Sequence, residues 1–327
     1  MNMASLSPLG MGGRRGPRAY NPLMDPELYA GSSTNNPSAG VRVTFFGNTT
    51  LLVSDGATHL LVDGFFSRPG PLETLLGKIS PDREVIREEL RRPALSKVDA
   101  IFVGHSHYDH ALDAPVVAQM TGAVAVGSKS YRFIHQGAGG RTDSANLITL
   151  SAEREEHAFG RFLVTFVRSD HVSSHSFVQR MAEGEITRPV KIPARFSDFN
   201  CGGIYAIHIA HPDGAVAVTT TAGARAGQFR SLRADAIFLG IGLLAKEPES
   251  KRDFYWRETV EALDPTVVIP VRWDDFNRPL SRGLMPRSLV ADDVKGALDW
   301  LKAKRGTRRL QVMDANDVFV VHGDTPA

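Results

Sequence analysis

The chain has 327 residues, of which 42% are hydrophobic and 23% are charged, and its formal net charge is +2. This length and composition allow a substantial buried core and exclude a wholly disordered chain. Lysine and arginine are scattered along the sequence, which argues against a face that binds nucleic acid. No run of about 18 apolar residues occurs, so we expect no membrane span and a cytoplasmic protein whose partner is a small-molecule substrate. The single cysteine, Cys201, excludes a disulfide within this sequence.

The first forty residues differ in composition from the rest of the chain. Residues 1–40 are rich in Gly, Pro, Ser and Asn and show little periodicity, which predicts a flexible N-terminal arm. Residues 41–327 are then expected to form a single domain. Within the arm, residues 20–29 are more apolar and are candidates to pack over the body of the protein or on a neighbouring subunit, so the sequence is compatible with a homo-oligomer.

After residue 40, the apolar patterns predict hairpin strands first and then strands that alternate with helices. Residues 49–63 alternate around Asp55-Gly56, which predicts a β-hairpin. Ser80-Pro81-Asp82 is a helix start, and Pro93 stops that helix. The later predicted elements are a strand at 101–103, a helix at 112–120, a strand at 123–126, a helix at 129–135, a strand at 161–167, a helix at 250–263, a strand at 266–269 and a helix at 290–301. This order indicates an α/β protein.

Three histidines and one aspartate follow the predicted strand at 101–103 within six positions: His105, His107, Asp109 and His110. We expect all four on a loop at the end of that strand. Side chains two apart on an extended segment project to the same side, so His105 and His107 can share one metal ion, while Asp109 and His110 point towards a neighbouring position. Imidazole and carboxylate groups at this spacing suit zinc.

The H-x-H-x-D-H spacing after a buried strand resembles the signature of the metallo-β-lactamase superfamily of metallohydrolases. The similarity extends to Asp63, which matches an acidic position that braces the metal loop, and to His171, which matches the third histidine of the first metal site. Residues 267–276 (VVIPVRWDDF) resemble the closing motif of the branch that includes the ascorbate-6-phosphate lactonase. The resemblance implies a four-layer αββα sandwich, in which the ligand loops gather at one edge of two facing sheets.

Two positions depart from the pattern of this family. Members with two metal ions carry a bridging aspartate in a strand-end segment where this chain has Thr220 or Thr221. The closing motif normally offers a histidine where this chain has Arg272. A guanidinium group stays protonated and has no free lone pair, so it cannot bind a metal ion.

These departures predict one tight zinc ion at His105, His107 and His171. They also predict that a second site, at Asp109 and His110, is vacant or very weak, because it has lost its bridge and one histidine. An arginine about 5 Å from a divalent cation opposes its binding by roughly 6 kcal/mol at an effective dielectric of about 20. The binding of a second ion would therefore be opposed by a free energy far larger than the one by which neighbouring residues ordinarily adjust the affinity of a site.

The direction of Arg272 decides how this penalty arises. An inward side chain can take the place of the second ion, by pairing with Asp109 or by gripping an anionic group of the substrate. The alternative is that Arg272 turns outward or forms a salt bridge with Asp274 or Asp275. The sequence leaves both arrangements open.

Three imidazoles and an open fourth position are typical of a catalytic zinc site, because a structural site is closed by four protein ligands. Such an ion lowers the pKa of a bound water, and Asp109 is placed to orient that water or take its proton. Asp109 and Arg272 are therefore the candidate catalytic residues. The predicted function is that of a metal-dependent hydrolase acting on a small ester, lactone or phosphodiester.

Two alternative functions stay open at this point. One is a conventional two-metal hydrolase, whose second site is completed by Asp109, His110, Asp274 or a threonine hydroxyl. The other is a metal-containing scaffold that binds a ligand without turnover.

A long irregular segment, residues 173–203, follows the third histidine. Loops of this length in a compact domain are usually functional or disordered. We expect it to form a wall or lid of the pocket, with Phe177, Phe196 and Phe199 either contacting the substrate or anchoring the loop to the core.

Overall fold

The computed structural model describes residues 20–29, 40–173 and 180–321. Its β-strands, in chain order, are β1 (Val41–Phe45), β2 (Leu51–Ser54), β3 (His59–Val62), β4 (Ala100–Phe102), β5 (Val124–Ser128), β6 (Leu147–Leu150), β7 (Arg154–Phe159), β8 (Phe162–Ser169), β9 (Ile204–His211), β10 (Gly214–Thr219), β11 (Ala236–Gly240), β12 (Val267–Val271), β13 (Arg309–Leu310) and β14 (Val318–Val321). Its α-helices are α1 (Pro71–Leu76), α2 (Arg83–Leu90), α3 (Tyr108–Ala111), α4 (Ala114–Thr121), α5 (Lys129–Gly137), α6 (Glu249–Trp256) and α7 (Val294–Lys304). A π-helical turn, Arg257–Glu261, continues α6.

The strands form two seven-stranded mixed sheets. The first has the order β14-β1-β2-β3-β4-β5-β6, and the second has the order β13-β12-β11-β10-β9-β8-β7. In the first sheet, pairing is antiparallel from β14 to β3 and parallel from β3 to β6. In the second, it is antiparallel from β7 to β10 and parallel from β10 to β13. The predicted hairpin is the β2–β3 pair, in which Ser54 lies opposite His59.

The main apolar cluster lies between the two sheets and continues under the helices on the outside of the second sheet, and a second cluster packs helices on the outside of the first. Phe102 of β4 meets Phe166 of β8 edge to face, with the ring centroids 5.2 Å apart. Ile101, the neighbour of Phe102, points the other way and packs with α4 and α5 on the outside of the first sheet. Helices α6 and α7 cover the second sheet, with Trp256 and Leu298 buried there. The fold is therefore a four-layer αββα sandwich, as the family resemblance implied.

Two elements differ from the predicted ones. Residues 108–111, expected to be part of a loop, form the short helix α3, so that Asp109 and His110 are helical. The last long helix begins at Val294 rather than at residue 290. Its start is fixed by Asp293, whose side chain accepts a hydrogen bond from the Gly296 N–H at 2.9 Å, which is the contact of an N-cap residue.

Residues 20–29 pack over the body of the protein. Leu28 is only 2% exposed and belongs to the main core, and its carbonyl accepts the Val312 N–H at 2.8 Å. Lys302 of α7 donates to Asp25 at 2.6 Å. The other parts of the predicted arm, residues 1–19 and 30–39, lie outside the described residues. Among the described helices, none combines the length and the apolar character that crossing a bilayer demands.

Candidate metal centre

The polar residues of the site follow the carboxyl ends of strands from both sheets. His105 and His107 come after β4 of the first sheet, and His171 comes after β8 of the second. The metal-binding nitrogens of these three side chains lie within 4.8 Å of one another. The structure thus brings together the trio that the sequence predicted, with one member supplied by the opposite sheet.

Hydrogen bonds orient all three imidazoles, and in His107 and His171 they also fix which nitrogen is free. His107 Nε2 lies 3.1 Å from the Ala182 carbonyl, so it carries the proton and leaves a lone pair on Nδ1. His171 Nδ1 lies 2.9 Å from the Val172 carbonyl, which likewise leaves the lone pair on Nε2. His105 Nδ1 lies 3.1 Å from the Thr220 hydroxyl, and its Nε2 faces the other two rings. Partners of this kind orient histidine ligands in metal sites.

This donor set fits a metal ion. His171 Nε2 is buried and has no hydrogen-bond partner among the described residues, an arrangement that costs free energy unless a ligand is bound. His105 Nε2 and His107 Nδ1 lie 3.1 Å apart. Two nitrogens about 2.1 Å from one tetrahedral ion are separated by roughly 3.4 Å. The spacing of this pair is therefore close to that of two ligands of one ion.

The pKa values of the three histidines keep them neutral, as metal ligands must be. Burial lowers the pKa of His107 to about 4. Burial, together with the neighbouring rings, also holds the pKa of His105 and of His171 well below its ordinary value. All three rings are therefore available as lone-pair donors at neutral pH.

His110 belongs to a second, adjacent network. Its Nδ1 lies 2.6 Å from the carboxylate of Asp63, which is fully buried and also accepts the Gly104 N–H at 3.1 Å. The Thr49 hydroxyl forms a short hydrogen bond to the same carboxylate. Asp63 thus holds both His110 and the start of the metal loop, which is the bracing position that the family resemblance implied. Thr49 carries no sequence signal that would have singled it out.

Arg272 points inward. Its Nη2 donates to Asp109 Oδ2 at 2.7 Å, its Nη1 donates to the Thr220 carbonyl at 3.0 Å, and Nη1 also makes a short contact with His110 Nε2. Burial alone would raise the pKa of Asp109, but the Arg272 guanidinium, followed by His110, outweighs burial and holds the pKa of that carboxyl well below its usual range. The guanidinium therefore lies among the side chains predicted to hold a second ion.

The backbone of Arg272 makes this direction possible. Its φ is +63°, in the left-handed region that residues other than glycine rarely adopt. The Arg272 N–H donates to the Asn48 carbonyl at 2.9 Å, and the Asn48 side chain donates to the Asp109 carbonyl at 2.6 Å. Asn48 thus ties the closing motif to the metal loop, a role that the sequence analysis did not foresee.

Asp274, the alternative partner considered for Arg272, is occupied elsewhere. It is fully buried, forms an ion pair with the buried Arg68 at 2.8 Å and accepts the Asn48 N–H at 2.7 Å. Gly47 leaves room for this pair, because a Cβ atom there would lie 2.2 Å from Arg68 Nη2. Asp274 is therefore a structural anchor of the closing motif.

A cavity of about 450 Å³ opens beside the histidines. His107, Asp109, His171 and Arg272 line one end of it, and its remaining wall is mainly apolar. Phe196 and Phe199 contribute to that wall and also pack into the core on the outside of the first sheet, so they both line the cavity and anchor the loop. Phe177 lies outside the described residues.

Curated relatives match this chain over part of its length. A metal-dependent hydrolase designated UPF0173 from Methylobacterium nodulans is 28% identical over 163 residues, which are 47% of this chain and 55% of the relative. Another, from Christiangramia forsetii, is 35% identical over 86 residues, which are 26% of this chain and 31% of the relative. The chain thus spans about one third to one half of the length of these curated relatives.

Solved structures match most of the chain, and a family model matches more than half of it. The metallo hydrolase Igni18 from Ignicoccus hospitalis aligns over 86% of this chain and 98% of its own, with a TM-score of 0.52 and 16% identity. The metallo-beta-lactamase fold protein YhfI from Bacillus subtilis aligns over 86% and 99%, with a TM-score of 0.51 and 14% identity. These two show the fold. The family model for the metallo-beta-lactamase superfamily matches residues 42–225, and the chain belongs to that superfamily.

Proposed function

We propose that this chain is a metal-dependent hydrolase that works with one tightly bound zinc ion at His105, His107 and His171. The observation that carries the proposal is the set of three neutral imidazoles whose free lone pairs converge, with His171 Nε2 buried and unpartnered among the described residues. An imidazole set also suits other transition metals, and zinc is the ion that three such ligands commonly hold in hydrolases.

When bound, the ion supplies a Lewis acid and lowers the pKa of a water molecule beside it. The chain's own groups then orient the reactants. Asp109 is ionised at neutral pH and tied to Arg272, so it is a weak base and serves better as an acceptor that orients water. Arg272 lines the cavity next to the histidines, where its charge stabilises negative charge that develops on the substrate.

Arg272 also supports the single-ion stoichiometry. Asp109 and His110, the remaining candidate ligands, are engaged by Arg272 and Asp63. A second ion would need to displace a guanidinium that is 11% exposed and held by three contacts. The Arg272 guanidinium thus supplies the positive charge that a second ion would otherwise provide. The substrate class we propose is a small ester, lactone or phosphodiester.

Metal analysis and hydrolysis assays test these two points separately. After reconstitution with zinc and dialysis, inductively coupled plasma mass spectrometry should find one equivalent per chain. Arg272→His should admit a second, weaker equivalent, because it removes the cation and frees Asp109. Arg132→His, on the exposed face of α5, is the matched control and should leave one equivalent. Two tightly held equivalents in the unaltered chain would contradict the single-ion proposal.

Turnover is tested with a panel of esters, lactones and phosphodiesters. We expect zinc-dependent hydrolysis of at least one class, and a loss of at least about 10³-fold in His107→Ala, which removes a ligand of the ion. His157→Ala, on β7 and away from the centre, should keep its activity. Tight zinc binding without turnover across the panel would instead identify a ligand-binding scaffold.

A further inference from the structure

The cavity beside the metal centre has one cation that the proposed mechanism does not use. Arg287 lines the same cavity as His107 and Arg272. Its guanidinium carbon lies 4.4 Å from the centroid of the Phe276 ring, a stacked arrangement that fixes the direction of the side chain. The cation is therefore held in place by an apolar ring.

Arg287 differs from Arg272 and Arg68 in forming no ion pair with a described acidic side chain, and its charge acts on the buried Asp292 only at longer range. Arg272 is paired with Asp109 at 2.7 Å, and Arg68 with Asp274 at 2.8 Å. No described residue forms a salt bridge with the Arg287 guanidinium or accepts a hydrogen bond from it, and Asp275, which also lines the cavity, accepts the Asn277 N–H instead. A partly buried guanidinium without a partner is suited to receive an anion.

The wall of the cavity offers an apolar surface beside Arg287. Pro71, Leu75, Phe196, Leu243 and Phe276 all line it. Leu75 of α1 is also 52% exposed, so the apolar lining reaches the surface of the protein. A largely apolar lining with a few polar groups is typical of a small-molecule site. We refer to these five side chains as the apolar wall.

We propose that Arg287 is a specificity-determining residue that binds an anionic group of an amphipathic substrate, whose apolar chain lies along the apolar wall. The proposal deepens the proposed function, on which it rests for the bond that reacts. A site of this kind favours substrates that carry both a negative charge and an extended apolar group over neutral or short ones. Arg272 is held in an ion pair with Asp109, whereas Arg287 forms no ion pair with a described residue, so an incoming anionic group can bind Arg287 without displacing a partner.

Binding of octanesulfonate, measured by calorimetry, tests this without any turnover. The zinc-loaded protein should bind octanesulfonate at least tenfold more tightly than octanol of equal chain length, and more tightly than ethanesulfonate, which lacks the apolar chain. Arg287→Gln should weaken octanesulfonate binding at least tenfold and leave octanol binding within twofold. Arg287→Lys, which keeps the charge, should retain more of the affinity than Arg287→Gln does. Arg132→Gln, on the exposed face of α5, is the matched control and should bind as the unaltered chain does.

The apolar wall is tested separately with Leu75→Ser, which should weaken binding of octanesulfonate several-fold and leave ethanesulfonate unaffected, since each buried methylene contributes to affinity. Leu163→Ser, at an exposed position of β8 outside the cavity lining, is the control. Equal binding of octanesulfonate and octanol, or unchanged octanesulfonate binding in Arg287→Gln, would overturn the proposal. Because these readouts need no hydrolysis, an inactive but octanesulfonate-binding protein would refute the proposed function and keep the ligand class.

Discussion

At the scale of single residues, the direction of Arg272 depends on contacts that span most of the chain. It needs a left-handed backbone and the carbonyl of Asn48, which lies more than two hundred positions earlier. No local pattern reports such a contact, so the sequence left the alternative salt bridge to Asp274 open. The spacing of His105 and His107 is local instead, and an extended backbone already places both rings on one side.

The buried pair of Arg68 and Asp274 leads to a prediction on stability. Arg68→Met leaves the Asp274 carboxylate buried without its counter-ion, so we expect the free energy of unfolding to fall by about 3–5 kcal/mol. Urea denaturation followed by circular dichroism measures this. The control is Arg87→Met, which breaks an exposed pair with Glu84 and should leave the free energy of unfolding nearly unchanged. Similar losses in the two variants would show that the buried pair is not the anchor described here.

At the scale of elements, the ends of strands were easier to predict than the ends of helices. The polar residues after β4, β8 and β12 meet because the carboxyl ends of these strands lie at one edge of the sandwich. Helix α3 was missed because its four residues are too few for a helical period to be seen. For α7, Val290 extended the apolar pattern, but the side-chain cap of Asp293 determines the start.

The cap of α7 can be tested by substitution. Asp293→Ala removes the acceptor for the Gly296 N–H, and we expect the free energy of unfolding to fall by about 1 kcal/mol. Asp299→Ala, in the same helix, removes only an exposed pair with Lys295 and should cost about 0.3–0.5 kcal/mol. Denaturant midpoints of the two variants, compared with the unaltered chain, give the difference. If Asp293→Ala is no worse than Asp299→Ala, the helix start is set by something other than this cap.

At the scale of the whole molecule, the metal centre joins the two sheets. His105 and His107 extend from the first sheet and His171 from the second, so an ion bound to all three connects layers that otherwise meet mainly through apolar packing. The family resemblance predicted the four layers. The apolar character of residues 20–29 made packing on the body or on a neighbouring subunit the two expected arrangements, and in the structure this segment packs on the body. Burial of Leu28 in particular could not be inferred, because the arm shows no periodicity.

This connection predicts that removal of metal lowers the stability of the entire domain. An ion present at a thousand times its dissociation constant stabilises the folded state by about 4 kcal/mol, so a chelator should lower the midpoint of thermal unfolding by several degrees. His171→Ala should show the lowered midpoint without chelator and should not respond to it. His157→Ala should respond as the unaltered chain does. An unchanged midpoint on chelation would show that the sheets do not depend on the ion.

The inward position of Arg272 has a consequence for how the protein depends on its surroundings. One of the two positive centres expected in this family is here encoded in the polypeptide, so it cannot dissociate, be exchanged for a different element or be sequestered when supplies are scarce. On the single-ion proposal, the fraction of chains that carry zinc follows the concentration of free zinc as a simple hyperbola. A protein with two dissociable ions of the same affinity would lose activity more steeply as the zinc concentration falls, so on that proposal we expect this chain to keep its activity further into metal starvation.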